Sequence, residues 1–211
     1  MRHPHLIPTL AMAALLAGCA TPPRVHYYTL LPPAAATAGS ASKAATSKYA
    51  ISVQQVSLPE QVNRPQIVIG SGDTTQVTPL NESLWVSPLD DQLRRALSAD
   101  LSSRLGVLDI AADTAPSSLP VWEVFVAIQR FDAIFGKKTI LDATWRLVPQ
   151  HMRARQPAIC RAEITVPVDA GVPALVAGQR TAVRTLSSLI AGQISGHPPQ
   201  SSEGVVLKGC T

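Results

Sequence analysis

The chain has 211 residues and a formal net charge of +4, and 46% of its residues are hydrophobic while 15% are charged. That length allows one domain with a substantial core and excludes two large ones. The basic residues are scattered along the chain rather than clustered, so the sequence does not indicate a nucleic-acid-binding protein.

Residues 1–18 have the layout of a secretory signal peptide. Arg2 supplies a positive charge, and the apolar run Leu6–Leu16 that follows is too short to span a bilayer as a stable helix. The tetrapeptide Leu16-Ala17-Gly18-Cys19 resembles a bacterial lipobox, which implies cleavage before Cys19 and acylation of its thiol. The alternative is a secreted protein with an incidental cysteine, and the coincidence of signal and lipobox favours lipidation.

Acylation of Cys19 would make the chain a membrane-anchored protein, because two or more acyl chains give stable anchoring where one does not. Residues 19–25 form a short leader after the anchor. Ala20 follows the cysteine in place of the Asp that retains enteric-type lipoproteins at the inner membrane. We therefore expect attachment to the outer membrane of a Gram-negative bacterium, with the domain facing the periplasm.

The N-terminal half of the domain predicts short strands, beginning with the aromatic, β-prone segment His26–Leu31. A low-complexity loop, 34–47, separates it from an alternating strand at Tyr49–Leu58. Two further strands, 65–69 and 74–80, flank a Gly-rich turn and predict a hairpin.

The clearest helix begins after Ser87, a natural N-cap, with Pro88 at the first helical position. Gly106 ends it. Its apolar residues recur at three- and four-residue steps and form one face that we expect to be core: Leu89, Leu93, Ala96, Leu97, Leu101 and Leu105.

Three strands in series, Val121–Phe131, Thr139–Val148 and Ile159–Val168, predict an antiparallel meander. In the first of them, alternation places Phe131 on the face opposite Val124. A second amphipathic helix spans about 173–194, and 196–211 reads as a flexible tail after an auxiliary domain at 26–195. The predicted fold class is α+β: a single domain with a mostly antiparallel sheet and two amphipathic helices packed on one face.

The sequence contains neither a phosphate-binding loop nor a Gly-x-Ser-x-Gly elbow, and no Cys/His spacing suits zinc. We therefore predict no catalytic residue, no cofactor and no metal. Cys160 and Cys210 are either a disulfide in an oxidising compartment or two free thiols, and the sequence leaves both open.

Two carboxylates and two arginines lie around the predicted hairpin of the meander. Arg130 with Asp132, and Arg146 with Asp142, are predicted to pair across its strands. Such pairs are either ordinary surface ion pairs or a docking surface for a partner protein, and the first interpretation is favoured.

Several segments together resemble the PqiC family, the auxiliary lipoproteins of ABC-type, Mce-linked lipid transporters. They are Tyr28-Thr29-Leu30, Ile51-Ser52-Val53 with Val56 and Leu58-Pro59, Leu84-Trp85 running into Pro88-Leu89 with Leu93 and Leu97, Gln129-Arg130-Phe131-Asp132, and Leu141-Asp142-Ala143-Thr144-Trp145-Arg146-Leu147. The last two segments are the most specific.

The resemblance implies a non-catalytic outer-membrane lipoprotein that helps to move lipids or other hydrophobic molecules between the membranes and so supports envelope integrity. It implies an Mce-domain protein and an ABC permease and ATPase as partners, and it leaves self-association into a ring open. The alternatives are a structural or regulatory lipoprotein that acts on cell-wall synthesis and a secreted hydrolase.

Overall fold

The computed structural model describes residues 24–31, 48–72, 75–111 and 114–211. Within them the chain forms eight strands and two helices. In chain order these are β1 (His26–Tyr28), β2 (Ala50–Val53), β3 (Gln66–Gly70), β4 (Val77–Trp85), α1 (Leu89–Leu105), β5 (Val121–Ile134), β6 (Lys138–Gln150), β7 (Ala158–Pro167), α2 (Val172–Ile194) and β8 (Val205–Cys210). The predicted signal peptide, Cys19 and the predicted loop 34–47 lie outside the described residues.

All eight strands belong to one sheet, seven of them in the order β1-β4-β3-β5-β6-β7-β8, with β2 beside β5 off this path. The predicted hairpin of β3 and β4 and the meander of β5, β6 and β7 are confirmed as antiparallel pairs. β2 pairs in parallel with the first residues of β5, while β3 meets β5 only where Gly70 lies opposite Ile134. β5 therefore joins the N-terminal strands to the meander.

Both helices cover one face of this sheet, as predicted. α2 packs on β6 and β7, and α1 packs against α2 and β2. Alternate residues of β6 point into this interface, and all of them are fully buried: Leu141, Ala143, Trp145 and Leu147. The three tryptophans, which include Trp85 and Trp122, are core residues. No helix in the described part of the chain has the length and apolar character that a membrane span requires.

A β-bulge overturns one predicted face assignment. Between Ile128 and Arg130 the register of β5 against β6 shifts by one residue. The extra residue reverses the alternation, so Phe131 turns into the core beside Ile128 instead of pointing away from it, and it is buried. The prediction assumed an unbroken period of two.

The predicted Ser87 cap of α1 is also wrong. The residue before the helix is Pro88, and no side chain caps the N-terminus. Instead, the buried Gln92 amide donates to Ser87 O at 2.9 Å, while its Oε1 accepts a hydrogen bond from Leu30 N at 2.9 Å. Gly106 ends the helix in the left-handed conformation with φ 66°, as predicted.

The C-terminal segment 196–211 is not a flexible tail throughout. Its residues Val205–Cys210 form β8, which adds to the outer edge of β7 in an antiparallel pair. The alternation is short and interrupted by Gly209, so the pattern alone gave only a weak strand signal.

Candidate docking face of the sheet

The sheet face that the helices leave uncovered carries a cluster of charges, which we call the charged face. It combines residues of β5, β6, β7 and β8: Arg130, Asp132, Asp142, Arg161, Glu163 and Lys208. Each of the four strands contributes because alternate residues of neighbouring strands point to the same side.

Asp142 lies at the centre of the charged face and is only 1% exposed. Arg161 donates to it from two nitrogens, Nε to Oδ1 and Nη2 to Oδ2, both at 2.9 Å, and Lys208 Nζ donates to Oδ2 at 2.9 Å. The hydrogen bonds from Arg161 lower the pKa of Asp142 below its ordinary value, and Lys208 adds to the effect against the opposing cost of burial. A carboxylate held in this way is ionised and structural.

The remaining charges extend the network along the face. Arg130 pairs with Asp132, its Nε donating to Oδ2 at 3.0 Å, and its Nη1 lies 3.7 Å from Glu163 Oε2. Lys208 Nζ also donates to Glu163 Oε2 at 2.8 Å, which raises the pKa of Lys208. Each carboxylate of the cluster is thereby paired with a cation of the cluster. The side chains of Arg130 and Arg161 stay about half exposed.

Of the two predicted ion pairs, only Arg130 with Asp132 forms, and it runs along β5 rather than across the hairpin. Arg146 lies over the ring of Phe125, 4.1 Å from its centroid, rather than beside Asp142. Asp142 and Arg146 belong to the same strand, where four residues span about 13 Å. Arg161 and Lys208 come from neighbouring strands and reach the carboxylate instead.

Sequence reasoning missed three members of the charged face. Arg161 and Glu163 alternate with the apolar residues of β7, so their side of the sheet was predictable, but the register that brings them to Asp142 was not. Lys208 was missed because it lies in the segment predicted as a tail.

Cys160 and Cys210 form a disulfide that fastens β8 to β7, with their Cα atoms 4.1 Å apart. Cys160 is buried on the helix side of the sheet. Its Sγ accepts a hydrogen bond from Gln193 Nε2 at 3.3 Å, and Gln193 Oε1 accepts one from Trp145 Nε1 at 2.7 Å. The C-terminal strand is therefore linked to both β7 and α2.

An open polar cleft of about 630 Å³ lies between β2, β5, Arg94 of α1 and the segment 109–111. Its acidic groups are engaged in structural bonds. Asp109 Oδ1 accepts a hydrogen bond from Val53 N at 2.9 Å, and Glu123 Oε2 accepts one from Gln150 Nε2 at 2.6 Å. Over the described ranges, no three metal-ligating side chains are grouped so that they could hold an ion.

With the fold and the charged face described, comparison with known proteins gives the class of this chain. Residues 28–191 match the family of ABC-type transport auxiliary lipoprotein components, and the chain belongs to that family. It is 31% identical over 149 residues to the intermembrane transport lipoprotein PqiC of Escherichia coli K12, an alignment that covers 70% of this chain and 77% of PqiC. The PqiC of Shigella flexneri matches to the same extent.

Two crystal structures share the fold. One, of an uncharacterized protein, superposes with a TM-score of 0.58 at 22% identity and covers 81% of this chain and 99% of its own. The other, of a Xanthomonas campestris protein, has a TM-score of 0.52 at 14% identity and covers 70% of this chain and 88% of its own. At these identities the likeness concerns the fold alone.

Proposed function

We propose that this chain is a non-catalytic lipoprotein, anchored through acylated Cys19 in the outer membrane and facing the periplasm. It assists an ABC-type system that moves lipids or other hydrophobic molecules between the inner and outer membranes and supports envelope integrity. The observation that carries the proposal is the family match over residues 28–191, joined to a lipobox at Leu16–Cys19.

The proposed partners are an Mce-domain protein and the ABC permease and ATPase of the same system. The relative with 31% identity is named an intermembrane transport lipoprotein, and the family description makes it an auxiliary component of an ABC transporter. An auxiliary protein acts by binding, which agrees with the engagement of Asp142, Asp109 and Glu123 in structural bonds.

We assign docking of the Mce-domain partner to the charged face and the adjoining Arg146. Arg130, Arg146 and Arg161 are exposed cations of this surface, as is Lys208. Asp132 lies beside Arg130 and is partly exposed. Asp142 is too deeply buried to touch a partner, and its part is to hold Arg161 and Lys208 in position.

The test is affinity capture of an Mce-domain protein from detergent-solubilised membranes by the acylated full chain. Arg130→Glu with Arg146→Glu should reduce recovery of that protein by about tenfold or more, since like charges then meet across the interface. The matched control is Arg95→Glu, because Arg95 is an exposed arginine on α1 that is also paired with an aspartate, Asp91, at 2.9 Å.

Recovery of the Mce-domain protein by the wild type and the Arg95 variant, but not by the double variant, supports both the function and the surface. Equal recovery by the wild type and both variants would move the docking site elsewhere. Recovery of cell-wall enzymes in place of an Mce-domain protein would overturn the proposed function.

A further inference from the structure

Three apolar side chains on the N-terminal edge of the sheet are exposed, and we call them the β1 patch: Val25, Tyr27 and Val86. They are 45%, 65% and 59% exposed, respectively. Val25 and Tyr27 are alternate residues of one extended segment, and Val86 directly follows Trp85, which pairs with Tyr28. Exposed apolar side chains carried on one sheet edge are available for contact with an apolar surface.

The β1 patch is fixed to the fold rather than carried on a loose leader. β1 pairs in parallel with the end of β4, and Val86 N donates to Tyr28 O at 2.9 Å. Leu30, two residues further on, is buried, and its N–H donates to the Gln92 amide inside the domain. The orientation of Tyr27 is therefore set by the domain itself.

The position of this patch in the chain points to its occupant. His26 follows Cys19 by seven residues, so the chain between them spans at most about 25 Å whatever its conformation. β1 and β8 are the two edges of the sheet, and the six strand spacings between them measure about 29 Å. An anchor at Cys19 therefore keeps the β1 edge within about 25 Å of the bilayer, whereas it sets no such limit on the β8 edge.

We propose that the β1 patch rests on the membrane surface and that Tyr27 enters the lipid headgroup region. The proposal depends on acylation of Cys19, the first part of the proposed function. A tyrosine suits this depth because its ring is apolar and its hydroxyl is polar. The exposed Arg24 beside the patch adds attraction to anionic headgroups. The lipid and the patch together would fix the tilt of the domain on the membrane.

The test measures the depth of single fluorophores on the acylated full chain, reconstituted into vesicles of phosphatidylethanolamine and phosphatidylglycerol. A bimane label is placed at Tyr27→Cys, at Val25→Cys as a second probe of the patch, and at Val206→Cys as the control. Val206 is 57% exposed on β8, so it matches Tyr27 in exposure and lies on the opposite edge. The native cysteines do not compete, since Cys160 and Cys210 are joined and Cys19 is acylated in this material.

Phospholipids brominated near the headgroup should quench the label at 27 or 25 at least about twofold more than the label at 206, because only groups in the interface contact them. Equal quenching at all three positions, on protein that intact mass shows to be acylated, overturns the proposal while leaving the anchor intact. Protein without acyl chains overturns the anchor and the patch together. In a second sample with solubilised Mce-domain protein added, a patch label that this protein shields but that brominated lipid does not quench assigns the surface to the partner instead.

Discussion

Asp142 shows how one buried carboxylate can organise a surface. Its folded-state pKa lies below the ordinary value of 3.8, so its charged form is favoured by folding. The resulting stability is fully present when the pH is above the pKa of the Asp142 carboxyl in the unfolded chain. It is lost as the pH falls through the lower pKa that this carboxyl has in the folded protein.

We expect Asp142→Asn to lower the free energy of unfolding at pH 7 by about 1–3 kcal/mol, because it removes charge-assisted hydrogen bonds. The difference in unfolding free energy between Asp142→Asn and the wild type should shrink as the pH falls below about 4. Asp132→Asn is the control, and since Asp132 is 38% exposed its effect should stay under about 1 kcal/mol. Denaturant unfolding of the three proteins at several pH values measures this, and a gap that widens on acidification would contradict the mechanism.

Two buried glutamines make a second comparison. Gln92 satisfies Leu30 N and Ser87 O, whereas Gln179 Oε1 is buried without a hydrogen-bond partner in the part of the chain that the structure describes. Gln92→Leu should cost about 1–3 kcal/mol of stability, because it leaves a buried donor unpaired. Gln179→Leu should be no less stable than the wild type, since it removes an unsatisfied acceptor. Equal losses in thermal or denaturant unfolding would show that shape, not hydrogen bonding, matters at Gln92.

At the scale of elements, α2 depends on a glycine for its approach to the sheet. A Cβ at Gly178 would overlap Val168 Cγ1 and lie 3.3 Å from Thr139 Cγ2, whereas at Gly192 it would meet only His197, at an ordinary distance of 3.6 Å or more. By helix propensity alone, either glycine costs about 1 kcal/mol relative to alanine.

Gly178→Ala should therefore destabilise the protein by about 1–3 kcal/mol, because overpacking outweighs the gain in propensity. Gly192→Ala should stabilise it by up to about 1 kcal/mol. Equilibrium unfolding of both variants shows whether each substitution lowers or raises the free energy of unfolding. If both substitutions stabilise, α2 can move away from β7 at little cost and the close contact is not required.

β8 is held to the sheet by its ladder, by the disulfide and by Lys208. Cys210→Ser removes the covalent tie at an exposed position and leaves the buried Cys160 in place. We expect a loss of about 2–4 kcal/mol in unfolding free energy, as for other disulfides of this span. Hydrogen exchange should accelerate in Val205–Cys210 and stay unchanged in α1. Unchanged exchange in β8 would show that the ladder and Lys208 are sufficient.

At the scale of the whole molecule, the proposed anchor decides where the domain works. Cys19→Ser removes the only thiol that the lipobox offers for acylation. The variant should remain unprocessed or leave the outer-membrane fraction, because no acyl chain then holds it. Fractionation with intact mass measurement tests this, with Cys210→Ser as a cysteine control that should fractionate normally. A Cys19 variant that fractionates with the wild type would rule out the lipid anchor.

Much of this architecture could be predicted along the chain. The meander, the β3–β4 hairpin and both helices follow from hydrophobic periodicity, and the glycine that ends α1 follows from local turn chemistry. The predictions failed where periodicity is interrupted, at the bulge before Arg130, and in β8, where Val205-Val206-Leu207 does not alternate and Gly209 follows. They also failed at Ser87, because Pro88 takes the position directly before α1 and no side chain caps the helix.

By itself the sequence determined the fold class, the family resemblance and the expectation of a lipid anchor at Cys19, because each depends on residues that are neighbours along the chain. Only the tertiary structure decided that Arg161 and Lys208 reach Asp142, that Cys160 faces Cys210, and that the β1 and β8 edges lie far apart. These features depend on strand order and register. Both are set by packing between segments that are remote in the chain, and local patterns do not encode them.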